Sequence, residues 1–130
     1  MILLDTHIVL WLALDPGKIS RKARAAIEEA RQRGGGLAIS DICLLEIATL
    51  ERKNRIQLKA SLETFLAEVE TRFTVLPITA RVCVRAMALP AAYPKDPADR
   101  VIGATALVEG VPLLTADAAI QRSKAVPTIW

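Results

Sequence analysis

Four acidic residues stand where a short apolar run hands over to a helical pattern. They are Asp5 in MILLDT, Glu46 in SDICLLEIATL, Asp99 in KDPADRVIGATA and Asp117 in VPLLTADAAI. Open α/β sheets bind ligands in the crevice outside the carboxyl ends of their strands. Four acids delivered to that edge from distant parts of a chain can meet in one pocket. Crowded carboxylates repel one another unless a cation sits among them. An all-oxygen donor set suits Mg²⁺ or Mn²⁺. The residues therefore point to a divalent-metal site built for phosphodiester chemistry.

Each acid also has a plain structural use. Asp5 ends an apolar strand, a place shared by ligands and by helix N-caps. Glu46 has Ile42, Cys43, Thr49 and Leu50 as same-face neighbours at helical spacing. A glutamate on such a face must be paired, protonated or metal-bound, because an isolated buried charge is very costly. A salt bridge to an arginine or an escape to solvent is the alternative. Asp96-Pro97-Ala98-Asp99 reads as a helix start, with Asp96 as N-cap, Pro97 at the first position and Asp99 at the third. On local evidence both acids are caps. Asp117 reads as an N-cap too, a part that Thr115 can also play. Only the joint pattern favours one metal site. The single histidine, His7, sits near a helix start among apolar residues and reads as a packed or half-exposed imidazole. With no other His or Cys partners, zinc is not expected.

The elements that must position these acids alternate. Ile2–Leu4 reads as a buried strand, followed by a short helix through Trp11 that Asp15-Pro16-Gly17 stops. Ser20 caps a helix whose apolar face is Ala23, Ala26, Ile27 and Ala30. Gly34-Gly35-Gly36 follows that helix and precedes the strand Leu37–Ile39, so it is a turn and not a phosphate-cradling loop. Ser40 is expected to cap the Glu46 helix, which Arg52, Lys53 and Arg55 close. A helix over about residues 60–70 turns Leu62, Phe65, Leu66 and Val69 inward. Thr74–Ile78 reads as an edge strand or strand end because of Pro77. Helices at 80–88 and 96–109, a strand at 111–115, a short helix after Asp117 and a last strand at 126–129 complete the chain. Strands alternating with helices predict an α/β fold with a mostly parallel central sheet and helices on both faces.

Composition agrees. The chain has 130 residues, enough for one domain with a core, and 52% of them are hydrophobic. No apolar run is long enough to span a membrane, and the N-terminus lacks the basic region and cleavage site of a signal peptide. Cys43 and Cys83 lie in apolar helical patterns outside any CxxC, as buried free thiols in a reducing cytoplasm would. A net charge of +3 is compatible with a nucleic-acid partner.

The segments LLDTHIVLW, AISDICLLEIATL and DPADRVIGATALVEGVPLLTAD, with the terminal VPTIW, resemble the PIN-domain ribonucleases. The likeness is strongest to the VapC toxins of type II toxin–antitoxin pairs. It implies a PIN-like three-layer fold and a single PIN domain over residues 1–130. It places Asp5, Glu46, Asp99 and Asp117 on the four catalytic, Mg²⁺- or Mn²⁺-binding positions. Thr6 and Thr115 fall on supporting hydroxyl positions, and Asp96 on an acid of the DPxDR subgroup. The implied activity is metal-dependent RNA hydrolysis, of transfer or ribosomal RNA. Arg52, Lys53, Arg55, Lys95 and Arg100 are the candidate RNA contacts, Arg100 alternatively structural. The implied partners are the RNA, a VapB-type antitoxin and a second copy in a homodimer. Leu44, Leu50, Phe65 and Leu66 are candidates for those surfaces or for ordinary core.

Rival readings fit less well. A haloacid-dehalogenase-like enzyme wants an Asp where His7 stands. A receiver domain wants an acidic pair before Asp5 and a late lysine. A Rossmann binder wants GxGxxG where DTHIVL stands. A non-catalytic PIN-like module, binding RNA or protein, is the alternative from a different class; four intact acids argue against it.

Overall fold

A computed structural model describes residues 1–130. Five parallel strands form one sheet: β1 (Ile2–Leu4), β2 (Leu37–Ser40), β3 (Thr74–Leu76), β4 (Leu113–Leu114) and β5 (Thr128–Ile129). Their order is β3-β2-β1-β4-β5, so every neighbouring pair runs parallel and β1 is central. Successive residues of a strand face opposite sides of a sheet. Leu3 and Leu4, Ala38 and Ile39, and Leu113 and Leu114 are all buried. Both faces are therefore covered, as parallel sheets require, and the predicted architecture holds.

The covering helices are α1 (Thr6–Leu14), α2 (Arg21–Gln32), α3 (Ile42–Arg52), α4 (Leu62–Arg72), α5 (Ala80–Met87), α6 (Pro97–Glu109) and α7 (Ala118–Ser123). Helix α2 begins as expected, with Ser20 Oγ accepting from the Ala23 amide at 3.1 Å, and it buries Ala23, Ile27 and Ala30. Asp96 caps α6 by accepting from the Asp99 amide at 3.1 Å, with Pro97 in the first turn. Gly110 ends α6 at φ 66°, a conformation that costs glycine nothing. Strand β3 lies at the sheet edge and stops just before Pro77.

Three sequence expectations are corrected, and one left open is decided in favour of core. Ser40 remains in β2, and α3 starts at Ile42. Ser40 Oγ still accepts from the Ile42 amide at 3.3 Å. Asp41, at the cap position, instead uses Oδ2 to accept from the Ile78 amide at 3.2 Å, tying the segment after β3 to the end of β2. Cys43 is buried, but Cys83 is exposed, because α5 turns only Val82 and Ala86 inward. Phe65 belongs to the core and Leu44, Leu50 and Leu66 pack against it, while the exposed large apolar side chains are Leu45, Val84, Met87, Ile78 and Met1. His7 is exposed rather than packed away.

One close approach fixes the start of α6. Tyr93 is 1% exposed, and its hydroxyl donates to the Asp99 carbonyl at 2.8 Å. The ring lies against Gly103, where a Cβ would collide with the phenol. Arg100 clamps the same loop, donating to the carbonyls of Ala86, Leu89 and Tyr93, each at 3.3 Å.

Alanine at Gly103 would gain up to ~1 kcal/mol of helix propensity. Overpacking against a ring with no exit should outweigh that. Gly103→Ala should lower unfolding stability by about 1–3 kcal/mol, measured by urea denaturation. Unchanged or increased stability would mean that Tyr93 moves freely.

Candidate active site

The chain leaves β1 for β2 and β3 on one side, then returns across β1 to β4 and β5 on the other. The crevice at the carboxyl ends of β1 and β4 is thus the point where strand order reverses, the usual ligand site of such sheets. Asp5 follows β1, and Thr115 and Asp117 follow β4. Glu46 reaches the crevice from α3, and Asp96 and Asp99 reach it from the start of α6. Together with His7, Trp11 and Ala116, these five acids line a cleft of about 360 Å³.

Hydroxyls and amides hold the acids in place. Asp5 Oδ1 accepts from the Thr6 amide at 2.8 Å, and its Oδ2 accepts from Thr115 Oγ1 at 2.7 Å. Thr115 Oγ1 also accepts from the Asp117 amide at 3.1 Å. One hydroxyl thereby joins the ends of two strands. Asp117 Oδ1 caps α7, accepting from the amides of Ala119 at 2.8 Å and Ile120 at 3.1 Å. Asp117 is therefore both a cap and a cleft residue. Thr6 Oγ1 lies 2.5 Å from Glu46 Oε1 and 3.2 Å from the Cys43 sulfur. Its one proton goes to the carboxylate, the stronger acceptor. Burial pushes the Cys43 thiol up to about 12, so it stays protonated.

No lysine or arginine neutralises the cluster. The chain's ion pairs are Lys18–Asp15 and Arg33–Glu29, both exposed and between residues outside the acid group. Desolvation raises the Asp5 carboxyl above its ordinary range, against hydrogen bonds from Thr115 and Thr6 that lower it. Desolvation also raises Glu46, with Thr6 opposing and Asp5 and Asp96 adding. Asp99 is pushed up to about 7, first by burial and then by Asp5, Asp96, Glu46 and Asp117. Neighbouring carboxylates therefore help to raise all three of these groups.

The donor chemistry fits a hard divalent cation. No three Asp, Glu, His or Cys side chains are gathered tightly enough to wrap an ion directly. The Asp5 oxygens are already engaged, and Asp117 is half engaged. Mg²⁺ keeps several of its waters, and a cleft of this size has room for a hydrated ion. The acids thus fit a cation held partly through water.

The candidate cations for a polyanion divide. Lys53 and Arg55 line a groove with Ile42, Leu45, Thr49 and Leu50 that shares Glu46 and Asp96 with the acid cleft. Arg52 and Lys95 are exposed at the end of α3 and just before α6. Arg100 is committed to three carbonyls, so its structural alternative fits and phosphate contact does not. The sequence reading missed Tyr93, a loop residue with no local signal, and the place of Trp11 in the cleft. Trp11 stands four residues after His7, so helical spacing alone could have put both on one side.

The PIN domain family model matches residues 2–125. Ribonuclease VapC22 of Mycobacterium tuberculosis is 36% identical over 131 residues, covering 99% of this chain and 98% of that protein. VapBC2 from Rickettsia felis, bound to a promoter DNA fragment, superimposes with a TM-score of 0.71 at 18% identity, over 98% of this chain and 97% of that one. DNA-bound VapBC from Salmonella typhimurium gives a TM-score of 0.69 at 21% identity, over 98% and 95%. At such identities the structural likeness carries the fold alone.

The folded chain holds its cleft protons to higher pH than the unfolded chain, for which the ordinary Asp value is 3.8. The stability that Asp99 contributes is therefore complete below that value and is lost as pH rises through about 7, with the raised Asp5 and Glu46 carboxyls acting in the same direction. Without divalent cations, the melting temperature should fall between about pH 5 and about pH 7.5, and fall less in Asp99→Asn. Excess Mg²⁺ should restore more stability at the higher pH. Thermal melts in EDTA and in Mg²⁺ check this. Equal pH dependence in the wild type and Asp99→Asn would contradict it.

Proposed function

Because the chain belongs to the PIN-domain family, in its VapC branch, we propose that it is the metal-dependent endoribonuclease toxin of a toxin–antitoxin pair. It hydrolyses RNA phosphodiester bonds, in transfer or ribosomal RNA, in the cytoplasm. One observation carries this reading: five carboxylates share a cleft at the sheet's switch point with no lysine or arginine paired to any of them. Single acids serve as caps, as Asp96 and Asp117 do, but gathering five of them in one cleft costs stability. Such a group suits a site completed by a cation from solution.

Asp5, Glu46, Asp99 and Asp117 would hold the cation, Mg²⁺ or Mn²⁺. When bound, such an ion supplies the positive charge that a phosphodiester's attacking and leaving oxygens need during in-line displacement. The chain's own residues orient. Thr115 and the Thr6 amide fix both oxygens of Asp5, and Thr6 Oγ1 fixes Glu46. Outer partners of this kind set the direction in which a ligand oxygen points. The Tyr93 hydroxyl and the Asp96 cap hold the backbone at Asp99. Lys53 and Arg55, in the adjoining groove, are placed to meet phosphates of the same strand.

The partners follow the same reading. A VapB-type antitoxin holds the toxin inactive. A second copy forms a homodimer through α5, where Val84 is 72% and Met87 75% exposed beside the small Val82–Ala86–Ala104 core. Large exposed apolar side chains on one helix mark an interaction surface.

Purified antitoxin-free protein should cut total cellular RNA into discrete fragments with Mg²⁺ or Mn²⁺ and not with EDTA. Asp5→Asn should remain folded and lose more than the ~100-fold that an outer partner costs. An unfolded Asp5→Asn, or cleavage that ignores EDTA, would falsify the metal-site reading. Met87→Glu should shift the protein from dimer to monomer in sedimentation at about micromolar concentration, since a buried unpaired charge is strongly unfavourable. A dimer unaffected by Met87→Glu would place the interface elsewhere.

A further inference from the structure

The chain has two tryptophans, one histidine, one tyrosine and two phenylalanines. Tyr93 and Phe65 are buried, and Phe73 packs against the core. Both tryptophans and the histidine are gathered beside the acid cleft. His7 and Trp11 line the cleft from successive turns of α1, with ring centroids 6.2 Å apart. Trp130, just past β5, braces the Trp11 indole at 5.9 Å with the planes inclined by 48°. Lys18 Nζ stands 5.7 Å from the centre of the Trp11 ring. Its side chain is 59% exposed, and its one ion pair is with Asp15 at 3.7 Å, so it is a movable cation.

Core packing explains part of this group, since Trp11 and Trp130 rest on core residues. It does not explain His7, which is exposed although Ile8, Val9 and Leu10 after it are buried. Nor does it explain why the ring surface opens into a cleft otherwise lined by five acids and Ala116. A nucleic-acid strand meets opposed demands there. Its phosphates are repelled by the carboxylates wherever no cation intervenes. Its bases are neutral, and an aromatic surface can hold them without adding charge. Single strands leave their base faces free for such stacking, whereas a duplex does not.

Resting on the RNA-cleavage reading above, we propose that His7 and Trp11 form a stacking subsite for one nucleobase of single-stranded RNA, beside the phosphodiester to be cut. Trp130 positions the indole, and Lys18 meets the adjacent phosphate. The site thereby selects unpaired RNA, such as a loop, over helical RNA. Stacking tolerates any base, so this subsite sets the strandedness of the substrate and the register of cleavage.

Both tryptophans lie at the subsite, so their emission reports on it directly. The probes are 2′-O-methyl oligonucleotides of A, C or U, which resist cutting. An abasic strand of the same length and charge, and a duplex of the A and U strands, complete the set. Each is titrated against wild-type protein in Mg²⁺, following tryptophan emission and the anisotropy of a labelled strand. At least one base-bearing strand should bind roughly 5- to 100-fold more tightly than the abasic strand, the range expected for one stacked base. The duplex should bind no better than the abasic strand. His7→Ala and Trp11→Leu, each verified as folded by circular dichroism, should remove that preference and leave abasic binding unchanged. Equal binding of base-bearing and abasic strands overturns the proposal, as does a preference that survives both substitutions. Cleavage of total RNA is scored separately. Cutting without base preference removes the subsite and leaves the nuclease reading standing; base preference without cutting does the reverse.

Discussion

A carboxylate that no cationic side chain pairs with, buried at the end of the central strand, is the constraint on which this structure depends. Asp5 is 7% exposed and has no ion pair. It is tolerable there because a backbone amide and the Thr115 hydroxyl accompany it, and Thr115 can do so only because β4 lies directly beside β1. The hydrogen bond joins residues 110 apart in sequence. The strand order and the polar centre are therefore one arrangement. Reversing the placement of β4 and β5 would leave Asp5 buried without its partner, at a cost of several kcal/mol.

The same constraint organises the helices around the cleft. Glu46 is held by Thr6, the residue after Asp5, so the start of α1 must meet the first two turns of α3. The N-terminus of α6 brings Asp96 and Asp99, and its positive dipole end offsets some of their mutual repulsion. Tyr93, Gly103 and Arg100 make that helix start rigid by packing and by four hydrogen bonds to carbonyls. What remains unbalanced is charge. The chain carries +3 overall, yet five acids share one cleft, so basic residues lie elsewhere. On the proposed nuclease reading, a polyanion would be repelled at this cleft until a cation enters.

Most elements were legible because their signals are local. A short apolar run ended by a polar residue, such as Ile2–Leu4, suits a strand buried on both sides, and Ser20 and Asp96 announce helix starts by hydrogen bonds from amides three residues on. The structure departs from the sequence expectations where a distant partner or the choice of helix face decides a side chain's place. Asp41, not Ser40, stands at the cap position, and its carboxylate accepts from the Ile78 amide 37 residues away. Cys83 was expected inside, yet a helix lying on one neighbour buries a single stripe. His7 reads as packed or half-exposed because its sequence neighbours are apolar, whereas it occupies the one position of that stretch that faces outward.

By itself, the sequence determined the parallel α/β class, the placement of Asp5 and Asp117 after strands, of Asp99 in a first helical turn and of Glu46 within a helix, and the hard-cation chemistry that such donors favour. These follow from short-range rules: periodicity, capping and the identity of the ligating atoms. Tertiary structure alone decided that the acids share one cleft without a protein cation, that Thr115 reaches Asp5, that Arg100 is a strut and that the aromatic surface opens at the cleft's rim. Those facts depend on strand order and on which helix faces meet, and no window of neighbouring residues encodes a contact across the whole chain.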